Sequence, residues 1–132
     1  MDLGFFIQLA GIALIMICIA NGFAFKKLGW TENLPRTDVF FQQVFKVHTL
    51  HLVMVMLAMA LACLGATDEL IAGETLMAQG FLWFAGIFWG LRTILHVFYY
   101  DKTVKRANPL WNALFLATFA YLTAVFLTFA IR

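Results

Sequence analysis

Residues 75–100 read TLMAQGFLWFAGIFWGLRTILHVFYY, an apolar run that carries Arg92, Thr93 and His96 towards its end and closes on Tyr99 and Tyr100. A helix crosses the hydrocarbon core of a bilayer in about 20 residues, so the run is long enough to span one. A charge at the bilayer centre costs roughly 2.5 to 3.5 kcal/mol on insertion scales and therefore faces a bundle interior, a cavity or a partner. Arg92 marks where the function of such a helix should lie.

Three more runs of spanning length occur, at residues 3–25, 44–66 and 110–131. With 64% hydrophobic and only 12% charged residues, the 132-residue chain is unlike a soluble globular domain. The expectation is all-α: a single integral membrane domain, folded as an antiparallel bundle of four transmembrane helices over about residues 3–25, 44–66, 75–100 and 110–131. The first run is kept as a helix and not read as a signal peptide. Asp2 precedes it and Lys26 and Lys27 follow it, the reverse of an n-region. Thr37 and Asp38 are suited to capping the second helix, and Asn108 followed by Pro109 reads as the N-cap and first turn of the fourth.

Basic residues set the orientation. Lys26, Lys27 and Arg36 lie in the first loop, with Lys46 just inside the second helix, and Lys102, Lys105 and Arg106 lie in the third loop. The second loop has Asp68, Glu69 and Glu74 and no base. The positive-inside rule puts the first and third loops in the cytoplasm and both termini outside. Compact length and short loops fit a bacterial inner membrane better than the endoplasmic reticulum, where the topology would be the same. A net charge of +2, segregated by topology, gives no reason to expect nucleic-acid binding. Cys18 and Cys63 fall at different depths, so neither a disulfide nor a cysteine metal site is expected. Met54, Met56 and Met59 sit among Leu, Val and Ala and read as packing, not as a soft-metal site.

The hydrophilic residues of the spans gather in one half of the membrane. On the second helix they are Gln42, Gln43, Lys46, His48, Thr49 and His51, in its first turns; on the third they are Arg92, Thr93 and His96, in its last. At 1.5 Å per residue His48 and His96 would lie about 6 Å below the cytoplasmic interface, His51 about 10 Å and Arg92 about 12 Å. A polar pocket between the second and third helices and a neighbour, open to the cytoplasm, is the simplest inference. At 100° per residue Arg92, His96 and Tyr99 fall within about 60° of one another, presenting guanidinium, imidazole and phenol in order. The guanidinium fork suits a carboxylate, and a phenol can donate to an anionic atom such as a thiolate. Every Asp and Glu lies in a loop or at an end, so the counter-charge of Arg92 would be a ligand, a lipid headgroup or another subunit. Structural readings stand beside these: Arg92 snorkelling to lipid phosphate, His48 and His51 bonded to a loop, Tyr100 an interfacial anchor like Trp30 and Trp111.

The stretch LRTILHVFYYDKTVKRANPLW, residues 91–111, together with Lys46-Val47-His48, resembles the membrane-associated proteins in eicosanoid and glutathione metabolism, the MAPEG family. That resemblance implies a homotrimer binding glutathione between subunits on the cytoplasmic side and acting on lipophilic electrophiles as a transferase or peroxidase. It implies that Arg92 holds or activates the thiol, that Tyr99 or Tyr100 contacts the peptide, and that Lys46, His48, Arg106 and Asn108 bind its carboxylates and backbone, with His96 in the same series. The places of the family's second-helix asparagine and glutamate read Leu50 and Val53, which leaves the amino group of glutathione without its acidic partner. Two other classes of function remain open. His48, His51 and His96 could ligate haem or a metal in an electron-transfer subunit. The 15 phenylalanines and the absent second-helix acids would suit a non-catalytic accessory subunit of a larger membrane complex.

Overall fold

A computed structural model describes residues 2–132, the side chain of Phe25 excepted, and every regular element among them is helical. In chain order these are α1 (Leu3–Lys27), α2 (Trp30–Asn33) running into a 3-10 turn at Leu34–Arg36, α3 (Val39–Gly65), α4 (Thr67–Ala72), α5 (Leu76–Phe98), α6 (Lys102–Ala107) and α7 (Pro109–Ile131). Four of them, α1, α3, α5 and α7, are long and apolar enough to cross a membrane, which makes the chain an integral multi-pass membrane protein.

Side-chain oxygens start most of these helices by accepting the first free backbone N–H groups. Asp2 accepts from the amide of Gly4, Asp38 from Phe40, Thr75 from Ala78 and Asp101 from Thr103. Helix α3 starts at Val39, five residues before the expected 44, because Asp38 caps it and glutamines 42 and 43 continue a helix as readily as they leave an apolar core. The third span ends at Phe98, not Tyr100: the amides of Tyr99 and Tyr100 both turn back to the carbonyl of Leu95, and Asp101 opens a new helix in what reads as a loop. Asn108 flanks α7 as expected, but its side chain donates to the carbonyl of Val104 and does not cap; Pro109 takes the first helical position.

Each long helix buries one stripe at helical spacing: Ile7, Ala10, Leu14 and Ile17 on α1; Met56, Met59, Ala60 and Cys63 on α3; Leu82, Ala85, Gly86 and Trp89 on α5; Phe119, Leu122, Val125 and Phe126 on α7. The helices associate chiefly as two pairs, α1 with α3 and α5 with α7, linked by α1 against α7 and by α4, whose Leu70 is buried. Tyr121 on α7 donates to the carbonyl of Phe6 on α1 at 3.0 Å. The buried residues of α3 all lie in its second half; Val39, Phe40, Phe41, Val47, Leu50 and others in its first half are exposed.

Small residues set the closest approach. A Cβ at Gly86 would meet Leu127 Cδ2 at 2.5 Å and its Cγ at 2.9 Å, and one at Gly90 would meet Thr123 Cγ2 at 3.4 Å. Gly86 and Gly90 form the small-xxx-small spacing that lets two membrane helices come together where lipid supplies no hydrophobic drive between them. Gly80, on the same helix, has nothing within 4 Å of such a Cβ. Gly86→Val should therefore lower stability in detergent by about 1–3 kcal/mol, the usual range for overpacking. Gly80→Val should cost less than that, and equal losses from the two variants, read from thermal unfolding, would refute the close contact.

Candidate functional site

Where the two helix pairs part, at the end carrying the first and third connections, they leave a cavity of about 560 Å³. Its deeper wall is apolar: Ile17 and Ala20 from α1, Leu52 and Met56 from α3, Phe88 and Trp89 from α5, Phe115 and Phe119 from α7. Towards the helix ends the lining turns polar, with Asn21, Lys27, Arg92, His96, Tyr100, Asp101, Lys105, Asn108 and Asn112. A cavity of this size and grading suits one small amphipathic molecule.

Arg92 lies at the junction of the two zones. One of its nitrogens, Nη1, donates to Tyr100 Oη at 2.6 Å, and the guanidinium carbon stands 5.4 Å from the ring centres of both Tyr100 and Phe119. Among the described residues Arg92 makes no ion pair; a neutral phenol and two ring faces hold it. Phe119 is the hub of the cluster, stacked on Trp89 at 5.5 Å and met edge-on by His96 at 5.6 Å. The indole Nε1–H of Trp89 is buried without a hydrogen-bond partner among the described residues.

His96 Nε2 donates to Asn112 Oδ1 at 2.8 Å, while its backbone carbonyl and that of Val97 each accept from Lys105 Nζ at 3.0 Å. Lys105 thereby closes the end of α5, whose last carbonyls lack partners within the helix and whose dipole favours a cation there. Lys27 on α1 reaches across to the ring of Trp111, 4.7 Å from its centre. The carboxylate of Asp101 is held below the ordinary range, first by the backbone N–H of Thr103 and then by its hydroxyl.

Of the residues the sequence singles out, the fold gathers Arg92, His96, Tyr100 and Asn108 around this cavity. Tyr99 is not among them. It is 80% exposed, the C-cap of α5 with its amide still bonded to the carbonyl of Leu95; the chain turns after it, and Tyr100 swings back to meet Arg92. Lys46, His48 and Arg106 are exposed and outside the cavity. His48 Nδ1 donates to the carbonyl of Val44 and His51 Nδ1 to that of Val47, each one turn back on α3. The three histidines thus do not converge, and no group of three or more potential metal ligands forms among the described residues. The pocket lies between α1, α5 and α7, with α3 lending only two apolar side chains, and not between the second and third spans.

Sequence reasoning passes over Asn21, Lys27, Asp101, Lys105 and Asn112. Asn21, several residues inside an apolar run, and Asn112, inside the first turn of another, carry a signal: a carboxamide at that depth needs partners. Lys27, Asp101 and Lys105 read as interfacial charges until Lys27 reaches across from α1 and the short α6 brings Asp101 and Lys105 to the cavity mouth. No protein-family model, no curated protein and no solved structure matches this chain.

A carboxyl whose folded-state pKa is depressed stabilises fully above its unfolded value and loses that contribution as pH falls through the depressed one. Amide exchange at Thr103 should accordingly stay slow from neutral pH down through the ordinary carboxylate range and quicken only below it. In Asp101→Ala it should be fast throughout; protection retained in that variant would remove the cap.

Proposed function

We propose that the chain is an antiparallel four-span membrane enzyme of the MAPEG kind, a homotrimer that binds glutathione at the mouth of the cavity and transfers its thiol to lipophilic electrophiles. The observation that carries this reading is Arg92: a cation at the border of an apolar cavity, with one nitrogen bonded to a phenol and no carboxylate beside it. A fixed cation next to a sulfur favours thiolate over thiol, and the apolar wall behind it excludes water and accepts a lipophilic second substrate.

The donor set fits the peptide. Lys27, Asn108 and Asn112 line the mouth as partners for carboxylate and amide groups, and Asp101 supplies the acid for an amino group that the second helix lacks. Glutathione would bring the nucleophilic sulfur; Arg92 would hold it as thiolate, and Tyr100 would donate to it once released from Arg92. Lys46 and His48, exposed on α3, would serve a neighbouring subunit's mouth in the trimer. With the positive-inside orientation the mouth opens to the cytoplasm, of a bacterial inner membrane by the length of the loops.

A non-catalytic accessory subunit is the second reading, favoured by the uncovered apolar first half of α3. Calorimetry on the detergent-purified protein separates the two. Saturable glutathione binding, weakened at least tenfold in Arg92→Leu, is the expected result. Conjugation of chlorodinitrobenzene should fall about a hundredfold in the same variant, the order lost when one preorganised electrostatic donor is removed. Absence of binding by the wild-type protein sinks the enzyme reading, and unchanged turnover in Arg92→Leu sinks the role of Arg92.

A further inference from the structure

His96 is the one imidazole that lines the cavity, one helical turn beyond Arg92 and ring to ring with Tyr100 at 5.8 Å. Its two nitrogens are treated differently. Nε2 is engaged by Asn112 Oδ1 at 2.8 Å, and an acceptor oxygen there requires the proton on Nε2. Nδ1 is left as the acceptor; among the described residues it has no hydrogen-bond partner, yet it is not closed off by packing as the orphaned Nε1–H of Trp89 is. Asn112, on the facing helix, thus does for His96 what a second group does for a catalytic histidine: it selects the tautomer and aims the free nitrogen.

We infer that His96 Nδ1 is the base that receives the proton of the thiol bound at Arg92, with Asn112 as the positioning residue that keeps this nitrogen unprotonated. This rests on the thiol-transferase reading above. Histidine suits the task because imidazole takes up and gives back a proton near neutrality. His96 accepts the proton as the S–H bond breaks, and the electron pair stays on sulfur, beside the Arg92 cation. When the C–S bond forms and the electrophile's leaving group departs with its own electron pair, His96 returns the proton to that group or to solvent, and no oxidant or reductant is needed. The other charged or titratable side chains lining the cavity are Lys27 from α1, Arg92 from α5, Tyr100 just after it, and Asp101 and Lys105 at α6. Neither α3 nor α7 places a titratable side chain in it. Of these only the Asp101 carboxylate competes as an acceptor; one of its oxygens caps α6, and the reading above commits the carboxylate to the amino group of glutathione.

The test reads the proton directly. In ¹⁵N-histidine-labelled protein, with the His96 signals assigned by their loss in His96→Gln, the free state should show Nε2 protonated and Nδ1 bare at neutral pH. Asn112→Leu should lose that tautomer preference, and Asn112→Asp, which keeps an acceptor oxygen, should restore it even if Asn112→Leu is poorly folded. Saturating glutathione should then bring up the thiolate absorbance together with a doubly protonated His96, and His96→Gln should move the thiolate transition to higher pH. A proton on Nδ1 in the free protein, or an ionised bound thiol beside a neutral His96, overturns the inference while leaving the transferase reading intact. The second result turns attention to Asp101→Asn. No saturable glutathione binding by the wild-type protein overturns both.

Discussion

The close approach of α5 to α7 is the constraint on which the rest depends. Inside a bilayer, apolar side chains gain nothing by leaving lipid for one another, so two helices are held by van der Waals fit and interhelical hydrogen bonds. Gly86 and Gly90 give the fit, and the Thr93 and Thr123 hydroxyls meet across the same line at 3.3 Å. This contact sets the register that stacks Trp89 on Phe119 and brings His96 opposite Asn112. Without it Arg92 would face lipid, and the cavity would have no aromatic floor.

Magnitudes explain how Arg92 is tolerated there. Its insertion cost is about 2.5–3.5 kcal/mol at the centre of a span and smaller nearer the end, where it sits. Each ring face gives about 0.5–2 kcal/mol once desolvated, and a charged hydrogen bond about 1.5–3 kcal/mol. Phe119, Tyr100 and the Tyr100 hydroxyl together match the cost, so Arg92 needs no carboxylate to stay folded inward. What it offers a ligand is the rest of its donor fork, for only one of its hydrogen bonds is made among the described residues.

Span length and apolar composition made the four long helices readable in the sequence, and Asp38 was readable as a cap for α3 although the apolar run placed the start of that span five residues late. The inward end of α5 was readable too, because Arg92 and His96 in an apolar run have few places to go. The short α4 and α6 were not, since a six-residue helix has too few positions for a hydrophobic period to emerge. Tyr99 and Tyr100 are placed for a related reason: helical projection assumes that the helix continues, but Tyr99 is its C-cap and the chain turns there, so that Tyr100 and not Tyr99 reaches Arg92. Asn108, a good N-cap by residue type, instead spends its amide on the preceding turn, a choice set by the geometry of α6.

The separation of the second helix's polar set from the cavity follows from length. Helix α3 has 27 residues, which at 1.5 Å each is about 40 Å, against a hydrocarbon core of about 30 Å. Its second half is the part fixed by packing, through Met56, Met59, Ala60 and Cys63, so the excess stands at the other end. An overhang of about 10 Å, roughly seven residues, carries Val39–Phe45 beyond the core and brings Lys46 to the headgroup level, with His48 in the first turn below it. Polar side chains at that level meet water and phosphate, and the two histidines meet their own backbone as well, so nothing draws them inward. Helix α5, with 23 residues, has little excess, and Arg92 lies six positions before its end, about 9 Å deep, where lipid offers it no partner. Equal depths counted from the ends of two apolar runs thus conceal unequal depths in the membrane: Arg92 lies deep enough to be driven into the cavity, and His96, one turn nearer the end of the same helix, lines it too.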